Sequence, residues 1–282
     1  MRRLVSLAAA LALACAFPLA AQAMGDEDIA ALQVALKARG LYGGSVDGSV
    51  SAATVAAVRR FQVRKGLRAD GVVGPRTRRA LRRTPLGRRI LRAGATGWDV
   101  ASLQFLVAWH GFPSGKLDGS FGADTDAALR KFQRWAGVHV DGRAGAATLA
   151  ALRSAPPRSP ILLAAPCGAA ATEDFGPRGN RFHAGIDYPL PAGAPVLAAG
   201  AGRVVHAGPL AGGWGNVVVI DHGGGVRTWY AHLSATRVRI GQRVLRGAPI
   251  ALAGASGRAS GSHLHFEVRV RGAAVDPRTA LA

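Results

Sequence analysis

Cysteine is nearly absent from this chain. The 282 residues hold two, Cys15 and Cys167. That excludes a disulfide framework and any zinc cluster built on four thiolates. If Cys15 leaves with an N-terminal leader, Cys167 is the only thiol, and no intramolecular disulfide can form. Acidic residues are scarce as well, 16 against 36 Lys and Arg, which sets a formal charge of +20. Lysine is the rare member of the basic set, with four lysines to thirty-two arginines. Such a balance often indicates nucleic acid, but no nucleic-acid-binding motif is present. Beyond residue 20 no apolar run is long enough to cross a bilayer, so no membrane span is expected.

The single long apolar run, Leu4 to Ala20, follows Met1-Arg2-Arg3 and precedes Ala21-Gln22-Ala23. A basic start, an apolar centre and an A-x-A ending predict a signal peptide over 1–23, cleaved near Ala23, and hence an exported protein. Pro18 and the small residues after it argue against a span. Ala12-Leu13-Ala14 before Cys15 is a poor lipobox, so a lipid anchor is not expected.

Histidine is sparse but clustered: six of the eight lie between 183 and 265. In Gly261-Ser262-His263-Leu264-His265-Phe266-Glu267-Val268 polar and apolar residues alternate, which predicts a β-strand. Alternate residues of a strand share a face about 6.6 Å apart. His263, His265 and Glu267 then point one way, and Leu264, Phe266 and Val268 point into a core. Two imidazoles on a stiff strand suit a metal or acid/base chemistry. A hydrolytic zinc site wants three protein ligands and one open position, and candidate partners lie upstream. His183 and Asp187 flank Gly185, and Pro189 and Pro191 follow, so a bend into a strand is expected there and not a helix. His232 closes Trp229-Tyr230-Ala231-His232, after a hairpin expected at Val217–Ile220, Gly223–Gly225 and Val226–Tyr230. His110, His139 and His206 read as surface or satisfied residues, and His222 as a turn residue.

The N-terminal half is a duplication with an unbroken offset of 71 residues. Leu32-Gln33 recurs as Leu103-Gln104, Asp47-Gly48 as Asp118-Gly119, Phe61-Gln62 as Phe132-Gln133, and Asp70-Gly71 as Asp141-Gly142. Each copy reads as three short helices. Ile29, Leu32 and Leu36 line one face of the first, Val58 and Phe61 mark the second, and Gly74-Pro75 opens the third. The Asp-Gly pairs read as turns and the two phenylalanines as core. The copies differ in charge: residues 24–92 hold fifteen basic side chains against five acidic, and 93–153 hold six against five.

Two resemblances follow from these residues. Phe175-Gly176-Pro177-Arg178, His183-Ala184-Gly185-Ile186-Asp187, Trp229-Tyr230-Ala231-His232 and His263-Leu264-His265 hold, in order and spacing over about a hundred residues, the pattern of lysostaphin-like (LytM-type) zinc endopeptidases of peptidoglycan. That resemblance implies zinc held by His183, Asp187 and His265, with His263 and His232 as catalytic groups. Choosing His265 over His263 as the ligand rests on the family, since both members of a His-x-His pair can bind one metal. The helical copies resemble three-helix peptidoglycan-binding domains, which implies anchoring to cell-wall polymer.

The expected fold is α+β and multidomain, with two small three-helix bundles followed by an antiparallel β metallopeptidase domain. The expected boundaries are repeat 1 over 24–83, a linker over 84–97, repeat 2 over 98–153, a Pro-rich linker over 154–165 and the peptidase domain over 166–282. The partner expected is peptidoglycan, its cross-linking peptides as substrate and its polymer as anchor, with the protein secreted or wall-associated. The basic charge reads either as affinity for anionic wall polymers or as compositional bias spread over a solvated surface. Two competing readings are a catalytically silent wall-binding or regulatory protein and a zinc D-alanyl-D-alanine carboxypeptidase.

Overall fold

The computed structural model of the protein describes residues 24–281, so the leader read over 1–23 lies outside the described residues. Each repeat forms three helices: α1 Glu27–Lys37, α2 Ala52–Arg64 and α3 Pro75–Ala80, then α4 Trp98–Trp109, α5 Ala123–Ala136 and α6 Ala146–Leu152. Local chemistry sets their ends. Asp26 caps α1 by accepting the amides of Asp28 and Ile29, and proline occupies the first position of α3. Phe61 and Phe132 are core residues, 1% and 0% exposed.

One device recurs four times and joins helix to turn. Gln33 donates to Asp47 Oδ1 and to the Ser49 carbonyl, and it accepts the Gly48 amide. Gln62 does the same with Asp70, Val72 and Gly71. Gln104 and Gln133 repeat the pattern around Asp118-Gly119 and Asp141-Gly142. All four amides are essentially buried. A buried amide must find partners for both donors and acceptor, and each one finds them by locking an Asp-Gly turn against its helix. The aspartates therefore serve the turns.

Helix α4 is buried from Trp98 to Ala108, because both repeats pack against it. Trp98, Ala101 and Phe105 complete the core of repeat 1, while Val100, Leu103 and Val107 form that of repeat 2. Trp98 Nε1 donates to Asp28, and Ser102 Oγ donates to the Glu27 carbonyl. The two repeats thus share one interface. Neither segment read as a linker is loose throughout. Leu91 is fully buried in repeat 2 and pairs with Ala144, and Leu163 is buried in the C-terminal core and pairs with Leu281.

Among the described residues the C-terminal domain has twelve strands. Its large sheet is antiparallel, in the order β12 (Ala273–Val275), β11 (Leu264–Val270), β7 (Val226–Leu233), β6 (Gly215–Asp221), β5 (Gly202–Leu210) and β9 (Arg243–Val244). Strand β3 (Ile186–Tyr188) pairs with the start of β11, on the edge that β12 occupies further along. A smaller sheet holds β4 (Pro195–Leu197), β10 (Pro249–Leu252) and β8 (Ala235–Thr236). The core lies between the two sheets, with Val196, Ile250 and Ala251 facing Val218, Tyr230, Phe266 and Val268. Strands β1 (Gly176–Arg178) and β2 (Arg181–His183) form a hairpin apart from both. Among the described residues no helix is long and apolar enough to cross a membrane.

Candidate metal centre

Strand alternation places the first donor. Leu264, Phe266 and Val268 are fully buried on the core face of β11, so His265 and Glu267 project from the other. Antiparallel register places the second, because His265 stands directly opposite Asp187 of β3. His183 arrives from the end of β2. Gly185 makes its approach possible: a Cβ there would lie 2.3 Å from the Phe266 carbonyl oxygen and 2.9 Å from His265 Cε1. Only glycine lets the bend between β2 and β3 press this closely on β11.

The three donor atoms form a tight triangle. His265 Nδ1 lies 2.7 Å from Asp187 Oδ1, His183 Nε2 lies 3.2 Å from that oxygen, and the two nitrogens are 3.0 Å apart. Ligands on a tetrahedral zinc at about 2.0–2.1 Å lie roughly 3.3 Å from one another, so the spacing fits. The outer contacts fit too. His183 Nδ1 faces the Asp174 carbonyl at 2.8 Å, which can only accept, so the ring proton sits there and Nε2 keeps its lone pair. His265 Nε2 donates to Glu267 at 3.1 Å, which frees Nδ1. Asp187 uses Oδ2 to accept from Arg178 at 3.1 Å and keeps Oδ1 for the centre. Each inward atom is left with a lone pair, and each outward atom is already bonded, the arrangement that orients metal ligands.

Electrostatics agree. Burial alone would raise the Asp187 carboxyl, but hydrogen bonds from His183 and His265 outweigh it and hold the group well below the usual carboxylate range. Burial alone would lower His265, yet the hydrogen bonds and charges of Asp187 and Glu267 push it up to about 9.

His232 and His263 stand beside the triangle. Their ring centroids are 4.8 Å apart, and His232 is 5.9 Å from the His265 ring. His232 sits in a bulge, where the β6–β7 register skips between Asn216 and Val218. Its φ of +61° is a left-handed conformation rare outside glycine. Bulges re-aim side chains beside active sites, and this one turns His232 toward the cleft. Its Nδ1 donates to the Ser256 carbonyl at 2.9 Å, and that of His263 donates to the Gly261 carbonyl at 2.9 Å. In the neutral tautomer that these contacts select, the lone pair of each ring sits on Nε2. Burial holds His232 below the ordinary histidine value.

All five residues line one open cleft of about 450 Å³, flanked by Glu173, Arg178, Trp214 and Arg258. The remaining histidines lie apart from it. His222 is spent on the Ala201 carbonyl and Thr228, and His110 is buried in repeat 2 against the Leu106 carbonyl. Sequence reasoning gave no role to Arg178, Arg269 or Trp214. Arg269 donates to Glu267 at 2.6 Å, and continued alternation along β11 from Glu267 was the available signal. The Asp174 and Ser256 carbonyls leave no trace in side-chain identity.

Residues 181–277 match the model of peptidase family M23, and residues 25–81 and 96–152 match that of a putative peptidoglycan binding domain. The chain is 49% identical over 100 residues to peptidoglycan DD-endopeptidase ShyB of Vibrio cholerae, covering 35% of this chain and 23% of that protein. It is 46% identical over 97 residues to DD-carboxypeptidase/endopeptidase Mpg of Neisseria meningitidis, covering 34% of this chain and 22% of that protein. The matched segment thus spans less than a quarter of either curated relative. Among solved structures, the lysostaphin catalytic domain from Staphylococcus simulans is 32% identical, with 39% of this chain and 90% of that chain covered at a TM-score of 0.37.

Proposed function

We propose that the protein, whose C-terminal domain matches the model of peptidase family M23 and whose N-terminal half matches that of a putative peptidoglycan binding domain twice, is an exported zinc endopeptidase that hydrolyses peptide bonds in peptidoglycan cross-links. The observation that carries this reading is the convergence of His183 Nε2, Asp187 Oδ1 and His265 Nδ1, all within 4.8 Å of one another. Zinc bound there supplies Lewis acidity and makes water acidic enough to lose a proton near neutral pH. One of His232 and His263, which both line the cleft, would accept that proton and return it to the leaving amine, while the other would orient the water. The ring that holds the proton would meanwhile favour the oxyanion that develops on the scissile carbonyl. The repeats retain the enzyme on the wall. The excess of basic over acidic residues, which persists after Arg2 and Arg3 leave with the leader, adds attraction to anionic wall polymers that salt weakens.

The test uses the purified mature chain. Metal analysis should find zinc, and wall suspensions should clear without chelator and stay turbid with it. Mass spectrometry should find severed cross-links. Release of terminal D-alanine alone would make the protein a carboxypeptidase, and binding without any release would make it a silent wall-binding protein. His265→Ala should lose zinc, while His263→Ala should keep zinc and lose turnover. Equal zinc loss in both would mean that the ligand of the pair is assigned wrongly.

A further inference from the structure

Among the described residues the β1–β2 hairpin pairs with no other strand. A lone two-stranded hairpin is marginally stable at best in water. This one nonetheless ends in His183 and carries Arg178, which holds Asp187. Its turn is tight: Arg178 pairs with Arg181 across Gly179-Asn180, and Gly179 has a φ of +60°, as the first position of a II′-type turn demands. Nothing within the C-terminal sheets fixes that tip.

The helical repeats do. The Val46 amide donates to the Gly179 carbonyl at 2.7 Å, and the Leu117 amide donates to the Asn180 carbonyl at 2.7 Å. Val46 and Leu117 are 71 residues apart, the offset of the duplication. Both copies therefore present the same loop position to adjacent carbonyls of one turn. Ser45 Oγ adds a bond from the Gly179 amide at 3.0 Å. On the flank, Phe182 packs edge-on to Trp109 at the end of α4, with centroids 5.3 Å apart. Incidental domain packing would not repeat a contact at equivalent positions, nor direct it at the one element that lacks a sheet of its own.

We propose that the two repeats act together as a clamp that positions the His183-bearing hairpin, so that they help build the metal centre as well as retain the wall. Val46, Leu117 and Ser45 are then positioning residues. The proposal rests on the function above only for the identity of the ion, because the clamp can be read in metal-free protein.

The test is made on the full mature chain. Val46→Pro and Leu117→Pro each delete one amide donor. Ser45→Ala deletes one hydroxyl at a half-buried position and is the gentler probe should a proline variant fail to fold. Three readouts are taken: hydrogen exchange across 176–183 without metal, zinc retention against a competing chelator, and turnover of a soluble cross-linked muropeptide dimer that needs no anchoring. One neutral hydrogen bond corresponds to about fivefold. Each substitution should raise hairpin exchange about fivefold, weaken zinc retention by a similar factor, and lower kcat on the soluble fragment with KM unchanged. Ser45→Thr, which keeps the hydroxyl, should restore all three. Folded variants with unchanged exchange and zinc retention would overturn the clamp, as would losses confined to KM on intact walls. A wild-type chain that binds no zinc would sink the function proposed above, and the exchange measurement would still decide the clamp.

Discussion

Glu267→Gln tests the logic of the centre at its narrowest point. Glu267 is 1% exposed, accepts His265 Nε2 through one oxygen at 3.1 Å and Arg269 Nε through the other at 2.6 Å. Glutamine keeps the volume but offers one acceptor and one NH₂. If its oxygen faces Arg269, its NH₂ meets His265, which must then accept at Nε2 and carry its proton on Nδ1, toward the metal. If its oxygen faces His265, its NH₂ opposes the Arg269 guanidinium, donor against donor. Neither orientation satisfies both neighbours. Loss of such an outer partner weakens metal binding about 10–100-fold, roughly 1.4–2.7 kcal/mol at 1.36 kcal/mol per decade. Arg269 stacks over Trp229 at 4.0 Å, and its side chain is 24% exposed, so water relieves part of its lost pairing. The metal-free fold should therefore lose only about 1–3 kcal/mol. Chelator competition measures the first quantity and chemical denaturation the second. A folded variant that binds zinc as tightly as wild type would refute the idea that Glu267 sets the His265 tautomer.

Three further outcomes are expected. Gly185→Ala forces its Cβ onto the Phe266 carbonyl, an overpacking of about 1–3 kcal/mol; zinc titration should show weakened binding while the melt of the helical repeats stays put. Gln133→Leu strips a 0% exposed amide that bonds Asp141, Arg143, Gly142 and Thr148; denaturation should report a loss of about 2–4 kcal/mol, and a loss below about 1 kcal/mol would deny the latch its role. His110 is fully buried, and burial holds its pKa below the ordinary value. The unfolded chain then takes the proton first, so this contribution is complete above about pH 6.5 and fades as pH falls through the folded value. The difference between wild-type and His110→Asn melting profiles should shrink on acidification, and a constant difference would contradict it.

The parts legible in the sequence are those governed by short periods. Alternation from His263 to Val268 separates the polar face of β11, which carries His265 and Glu267, from its core face, and the 71-residue offset with its helical spacing yields two three-helix bundles. The Asp-Gly pairs read correctly as turns, but their glutamine partners do not stand out, since each latch joins residues 8–21 apart whose pairing only the fold defines. The bulge at His232 is equally hidden. An ordinary strand reading places the residue in register, and one inserted position changes where its ring points. Leu91 and Leu163 sit inside proline-bearing stretches that read as spacers, and single apolar residues outside any period give no warning that they seed a neighbouring core. The grip on Gly179 and Asn180 is made largely by backbone groups, to which side-chain patterns are blind.

The glutamine latches also set an order of assembly. They close over spans of 8–21 residues, whereas His265 meets Asp187 and His183 across 78 and 82. Short closures form quickly and long ones slowly, and the helical half emerges first from the ribosome. The individual helix–turn latches thus close before the inter-repeat contacts over 70 and 75 residues and before the side chains of the donor triangle meet.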